Sequence, residues 1–409
     1  MKAAPYLPNV EGSSYCNDDT GDLCKAHGNC TTCTTFNQAD IDHIKSLGWN
    51  FIRLGVVWAG AQPRDEDKLD EDFVQRLHAV LDLTDKNGIH VMLDNHGDMV
   101  GTAGCGNGVP MWIQQKAAPE LIGKPLHTDF PYSLVSKINV KKTSGYDHCG
   151  ENETLWAQHA GDPNYNLLNE CCLAMNSGNP GGMFDSLLQL SPTQSYVNTQ
   201  ICTGLGFTTI SQKTMDYILM PGEGRNYFVR YWRLVAEAVV DHPSAFAFEL
   251  MNEPMSIRRK WMFDTWRACA ESIHQVIPDA SVSIADVGEG TVFPGWITQY
   301  TGGFEDISSD TEKYIKDENR LFYAWHYGTM PKGMNNMLEI SQKWNVPIFG
   351  TETSCDQFDY AKSVNISHSY WHYSCYCNTG PWFGNRKVPE DTFGGCLLGW
   401  DGGNSAKCV

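Results

Sequence analysis

Short apolar runs alternate along this chain with stretches in which apolar residues recur every three or four positions. Phe51 to Trp58 is apolar and β-branched, Phe73 to Lys86 has helical spacing, and Ile89 to Asp94 reads again as a strand. A second cycle opens with a helix over Tyr227 to Val240 and leads into a strand at Ala245 to Leu250. The same pattern predicts a helix at Met262 to Val276, strands at Val282 to Ala285 and Leu321 to His326, and a helix near Met334 to Trp344. Strands at Pro347 to Gly350 and Cys396 to Trp400 complete the series. Such alternation implies parallel strands joined by crossover helices, and seven strands are one short of an α/β (β/α)8 barrel. If these are its second to eighth strands, the first precedes Lys2 and a closing helix follows Trp400. Both termini are then expected to be cut, leaving two strand edges to be covered.

Between His96 and Tyr227 the periodicity gives way to a long segment rich in Gly, Pro, Asn and aromatic residues, with Cys105, Cys149, Cys171, Cys172 and Cys202. The expected organisation is a single catalytic barrel over 1–409, with an insertion at about 99–224 and no carboxyl-terminal β-sandwich. Because the insertion leaves the carboxyl end of a strand, it is expected to lie over the active face as a disulfide-pinned lid or wall. The bland alternative is a surface excursion far from substrate.

Composition narrows the setting. With 409 residues, 42% hydrophobic and 19% charged, the chain is globular. Its formal charge of -18 disfavours nucleic acid or an anionic membrane surface as the main partner. Fifteen cysteines suggest an oxidising compartment, with an odd thiol left over. Cys30 and Cys33 have zinc-ligand spacing, but no matching second pair with histidines follows. The triplets Asn29-Cys30-Thr31, Asn152-Glu153-Thr154 and Asn365-Ile366-Ser367 are glycosylation sequons and agree with a secreted or lumenal protein. No stretch is long and apolar enough to span a bilayer, and Met1 to Pro8 lacks the apolar segment of a signal peptide.

Two acids end predicted strands: Glu253 in Phe248-Glu249-Leu250-Met251-Asn252-Glu253-Pro254, and Glu352 in Ile348-Phe349-Gly350-Thr351-Glu352. Barrel enzymes carry their chemistry at the carboxyl ends of strands, and paired carboxylates there suit a glycosidase. Arg53 in Ile52-Arg53-Leu54-Gly55 can hold a nearby carboxylate charged, or merely neutralise a buried acid. His96 and His326 also end strands, where a catalytic-face role competes with a structural one. Asn252 is either a donor to a sugar or a strand-end turn residue. Trp400 is either a stacking platform for a sugar ring or core. No zinc-protease helix, serine nucleophile elbow or phosphate loop occurs, so neither a metal nor a cofactor is expected. Gly104-Cys105-Gly106-Asn107-Gly108 lacks the strand-to-helix context of a nucleotide cradle.

Asn252-Glu253-Pro254 after an apolar strand, distal Glu352, Arg53, and His96 after Leu93-Asp94-Asn95 together resemble family-five glycoside hydrolases, which are (β/α)8 barrels. Within that family the likeness is to endoglycoceramidases and related glycolipid glycosidases. Lys2 to Pro8, Arg53 to Trp58, and Asp94-Asn95-His96-Gly97-Asp98 resemble their corresponding segments. The resemblance implies Glu352 as nucleophile and Glu253 as acid/base of a retaining hydrolysis. It implies Arg53, His96, Asp98, Asn252, His326, Tyr327 and Trp400 around the sugar, with Lys2 either a further sugar contact or a free terminus. Four departures from the family pattern stand out: Gly97 where glutamine is usual, Thr353 in place of an aromatic after the nucleophile, the expected lack of those enzymes' carboxyl-terminal β-sandwich, and His326-Tyr327-Gly328 for a histidine-x-tyrosine. The expected reaction is cleavage between glycan and ceramide in a glycosphingolipid, with transient contact to a lipid or membrane surface. The alternatives are a steryl glucosidase or β-glucanase on the same barrel, and a non-catalytic carbohydrate-binding barrel. The oligomeric state is not legible in the chain.

Overall fold

The computed structural model describes residues 9–10, 35–36, 38–97, 100–104, 108–122, 126–130, 132–134, 206–256, 258–286, 307–326, 338, 341–353 and 358–370. Seven parallel strands form one sheet in chain order: β3 Phe51–Gly55, β4 His90–Asp94, β5 Ala245–Glu249, β6 Ser281–Ile284, β7 Leu321–His326, β8 Ile348–Thr353 and β9 Ser367–Tyr370. The free edges of β9 and β3 approach each other, so the sheet nearly closes into a TIM-type barrel. Ahead of it, β1 Asn9–Val10 pairs in parallel with β2 Thr35–Phe36, and helix α1 spans Gln38–Ser46.

The helices are α2 Trp58–Ala61, α3 Glu71–Asn87, α4 Met111–Ala117, α5 Thr209–Leu219, α6 Glu223–Val239, α7 Arg259–His274, α8 Ser309–Asp317 and α9 Phe358–Ser363. Helix α3 shows how the sequence sets an element's bounds. The Asp70 carboxylate accepts from the amides of Asp72 and Phe73 at 3.1 and 3.2 Å, Glu71 and Asp72 follow in the positive first turn, and a left-handed Gly88 stops the helix. Its face Phe73, Leu77, Val80 and Leu81 is buried at the helical spacing seen in the sequence.

The main core lies between helices and sheet, where Trp58, Phe228, Tyr231, Trp232 and Trp266 are buried together. A smaller cluster of Met92, Ala247, Ala285, Phe322 and Ala324 is separate from it. Trp112 and Ile113 also belong to the core: Ile113 has no exposure, and the Trp112 ring stands edge-on to Trp58 at 6.1 Å. None of the described helices is long and apolar enough to cross a membrane.

Two expectations need correcting. The strand from Phe51 stops at Gly55, because Trp58 already begins α2. The place expected for Cys396–Trp400 beside β8 is taken by Ser367–Tyr370, which pairs with β8 from Phe349↔Ser367 onward; 396–400 lies outside the described residues. Helices α1, α4, α5, α8 and α9 have no counterpart in the sequence pattern.

Candidate active site

The carboxyl ends of β3, β4, β5, β7 and β8 converge on one buried cation. The Arg53 guanidinium donates through Nε to Glu249 Oε2, through Nη1 to Glu352 Oε1 at 2.5 Å, and through Nη2 to Asn252 Oδ1 at 2.8 Å. Asp94 Oδ2 lies 3.1 Å from Nη2. Burial works against the charge, but the fields of Asp94, Glu249 and Glu352 outweigh it and hold Arg53 well above its ordinary pKa. One cation thus faces three carboxyl groups, all almost completely buried.

Glu352 reaches this cation because β8 carries a bulge. Trp325 pairs with Gly350, yet the next residue, His326, pairs with Glu352, so Thr351 is the extra residue. A Cβ at position 350 would sit 2.7 Å from Thr353 Cγ2 and 3.3 Å from the Trp325 ring, which is why glycine occupies the bulge. Thr353 Oγ1 donates to the Ser369 carbonyl at 2.7 Å and ties β8 to β9, a use for the residue that departs from the family pattern. Burial raises the pKa of Glu352; His326, Arg53 and His96 pull it back, Glu253 adds to the rise, and the net direction is upward.

Glu253 is seated differently. It follows β5 after a turn, with φ of 39°, a left-handed conformation uncommon outside glycine and costly enough to mark a constrained site. Its side chain keeps 26% exposure, and its Oε1 lies 3.0 Å from His326 Nδ1. Glu352 Oε2 is 3.6 Å from the same nitrogen, and Glu253, His326 and Glu352 each offer an atom within 4.8 Å of the others. The two carboxylates therefore meet across one histidine ring.

His96 sits at the end of β4 with Nδ1 2.7 Å from Asp94 Oδ2. Since the carboxylate accepts, Nδ1 carries the proton there, and the 3.3 Å approach of Arg53 Nη1 is packing between two donors. Asn95 fastens the strand ends: its side chain accepts from the Trp58 amide at 3.0 Å and donates to the Leu250 carbonyl at 3.4 Å, while its carbonyl accepts from the Asn252 amide at 3.1 Å. This bracing places Asn252 against Arg53. Gly97, another departure, faces Gly108 so closely that a Cβ would fall 2.3 Å from the Gly108 Cα. A small pocket of about 20 Å³ opens beside Glu253, lined by Asn95, Asn252, Met251 and Met255 together with Val100, Val109 and Met215 from the 99–224 segment.

The structure thus gathers Arg53, His96, Asn252, Glu253, His326 and Glu352 into one site. Asp98, Tyr327, Trp400 and Lys2 lie outside the described residues. Glu249 and Asn95 belong to the site and were not among the candidates. The signal for Glu249 was an acid ending the otherwise apolar run Ala245-Phe246-Ala247-Phe248. Nothing in the string alone marks Asn95, whose role depends on three strand ends being adjacent. With two carboxyl groups this close, one able to attack an anomeric carbon and one able to protonate the departing oxygen, the arrangement suits double displacement.

Comparisons with known proteins bear on the family and the fold. The family model for Cellulase (glycosyl hydrolase family 5) matches residues 17–126. Endoglycoceramidase I of Rhodococcus hoagii is 33% identical over 161 residues, 39% of this chain and 26% of that relative. Endoglycoceramidase of Hydra vulgaris is 24% identical over 221 residues, 54% of this chain and 32% of the relative. The chain therefore spans only about a quarter to a third of the curated relatives it matches. Among solved structures, endo-glycoceramidase II from Rhodococcus sp. as a lactosyl-enzyme intermediate gives a TM-score of 0.51 at 16% identity, covering 83% of this chain and 68% of that one. The same enzyme in complex with ganglioside GM3 gives 0.50 with equal identity, covering 83% of this chain and 69% of that one. In sequence across 17–126 and in fold across most of its length, the chain resembles the family-five glycoside hydrolases, endoglycoceramidases among them.

Proposed function

We propose that the chain is a retaining β-glycosidase that cleaves the linkage between glycan and ceramide in a glycosphingolipid. The observation that carries this reading is the meeting of Glu253 and Glu352 at the strand ends, with atoms of both acids and of His326 within 4.8 Å of one another. Retaining glycosidases hold their carboxyl groups roughly 5 Å apart, whereas inverting ones need a wider gap for water. Glu352, facing Arg53 and buried, attacks the anomeric carbon. Glu253, partly open to solvent, gives its proton to the departing ceramide oxygen. Glu253 then takes a proton from water, which attacks the same carbon and releases the glycan with its original configuration. Asn252, held by Arg53, is placed to bond the sugar hydroxyl next to the anomeric carbon.

The lipid side of the reading is supported by the pocket beside Glu253, where Met215, Met251, Met255, Val100 and Val109 supply apolar lining next to the leaving-group acid. It is supported too by the names of the relatives and by the ganglioside complex of the Rhodococcus enzyme. A β-glucan substrate is the second reading, favoured by the family model's description as a cellulase. Fifteen cysteines and three sequons support a secreted or lumenal setting, where transient contact with a membrane surface would present the lipid. Mass spectrometry of protein purified from its native host, for glycans at Asn29, Asn152 or Asn365, checks that setting.

The test of function is incubation of the purified chain with lactosylceramide, GM3 and cello-oligosaccharides, with chromatography of the sugars released. Intact oligosaccharide freed from the two lipids supports the reading. Sugar from cello-oligosaccharides alone transfers the assignment to the glucan. A 2-fluoro glycoside should leave a covalent adduct on Glu352, and a folded protein that takes up none would overturn the enzymatic reading itself.

A further inference from the structure

Glu249 is fully buried at the end of β5, beside Asp94 in the strand register and one turn of chain before Glu253. Its two oxygens face different neighbours. Oε2 accepts from Arg53 Nε. Oε1 accepts no hydrogen bond and looks toward His326 Nε2 at 4.0 Å. A buried carboxylate oxygen without a partner costs stability, and such groups persist where the site uses them. Arg53 is the cation of Glu352, and His326 is the ring between Glu253 and Glu352.

We propose that Glu249 is a positioning residue that couples the two carboxylates of the site, holding Arg53 against Glu352 with one oxygen and biasing the proton of His326 beside Glu253 with the other. This rests on the reading of Glu253 and Glu352 as the working pair. The charged and titratable groups facing Glu249 are Arg53 from β3, Asp94 from β4 and His326 from β7. An anion at 249 occupies part of the Arg53 charge that would otherwise stabilise ionised Glu352. It also favours the doubly protonated His326 ring, whose Nε2–H faces Glu249 and whose Nδ1–H donates to whichever glutamate is ionised. Burial raises the pKa of Glu249 against the pull of Arg53, so the group is one whose charge the surroundings set.

The experiment is Glu249→Gln, which keeps the shape and an acceptor for Arg53 Nε while removing the charge. Two readouts are followed: the pH profile of kcat/KM on an aryl glycoside, and the titration of the His326 ring by NMR of histidine-labelled protein, assigned by its loss in His326→Gln. The His326 titration should move to lower pH by about one unit, and the acid limb of the profile should move the same way by a similar step. Turnover at the wild-type optimum should fall about tenfold. If Glu249→Gln does not fold, the same readouts on Glu249→Asp, which draws the charge back by one methylene, should move in the same direction by a smaller step. An unmoved His326 titration in whichever variant folds overturns the proposal. If wild-type protein turns over no glycoside but His326 still moves, the functional reading fails and the coupling stands.

Discussion

The two glutamates sit in contrasting seats only a few ångströms apart. Glu352 lies on a strand, aimed by a bulge, with 7% of its side chain exposed and Arg53, His96 and His326 within 4 Å. Glu253 lies just past a strand, on backbone with φ of 39°, with 26% exposure beside a pocket. A nucleophile must be ionised and aimed at the anomeric carbon at the moment it attacks, so surroundings that cannot move suit it. A proton carrier must change charge twice and meet water between, and a strained, half-open turn suits that. The difference between the seats predicts how each will respond to perturbation.

The largest effect should come from Arg53, which belongs wholly to the rigid seat. Arg53→Met would leave Asp94, Glu249 and Glu352 buried around no cation. Breaking a buried charge cluster from one side costs about 3–5 kcal/mol, so urea denaturation should show a loss of that order, and glycosidase activity should disappear with it. A variant of normal stability and normal kcat/KM would remove the distinction between the two seats.

Removing each carboxylate's charge separates the seats next. Glu352→Gln should abolish turnover of every substrate. Glu253→Gln should cost roughly 10²–10⁴-fold on a glycoside with a poor leaving group and much less when the leaving group needs no proton. Stability should follow the opposite logic. A carboxyl whose folded pKa lies above its unfolded value binds its proton more tightly when folded, so it opposes folding while ionised, and that penalty fades as pH falls through the raised value. Glu352 is such a group through burial. At neutral pH Glu352→Gln should therefore melt at or above the wild-type temperature, since Arg53 keeps Glu249 and Asp94.

The same raised value shapes the pH profile. Attack requires ionised Glu352, so activity is lost as pH falls through its folded pKa. The acid limb of kcat/KM should then lie above the ordinary carboxylate value, and an acid limb at or below that value would show the cations around Glu352 winning over burial.

Much of this was legible because burial on both faces leaves continuous apolar runs. Leu321 to His326 and the run before Glu249 could be little else in an alternating pattern, and Glu253 and Glu352, close after such runs, stood out as exceptions. β9 escaped because Ser367, His368 and Ser369 make no apolar run; its pairing rests on β8 and on the Ser369 hydroxyl bonding the Thr351 carbonyl. Helix α5 has Ile210, Thr214, Met215 and Ile218 at helical spacing, but it was absorbed into a segment read as loop. The bulge at Thr351 leaves no mark in sequence, since it exists only relative to a neighbouring strand. Glu249 was visible as a letter and hidden as a contact: nothing in its own run says that Arg53 and His326 will flank it.

The mildest perturbation asks where the open seat ends. Trp112 packs edge-on to Trp58 at 6.1 Å and donates its indole N–H to the Gln62 carbonyl at 3.0 Å, away from the lining beside Glu253. Met255 lines that pocket next to Gly206, whose added Cβ would fall 2.9 Å from the Met255 side chain. Trp112→Phe should lower stability by about 1–2 kcal/mol through lost packing and a lost hydrogen bond, with KM unchanged for lipid and aryl substrates. Met255→Ala should also destabilise, but it should raise KM for a glycosphingolipid by roughly three- to tenfold while sparing a small aryl glycoside, because only a long aglycone reaches that wall. Equal effects on the two substrates would mean that the methionines serve packing as Trp112 does, and the half-open seat of Glu253 would then owe its exposure to water access alone.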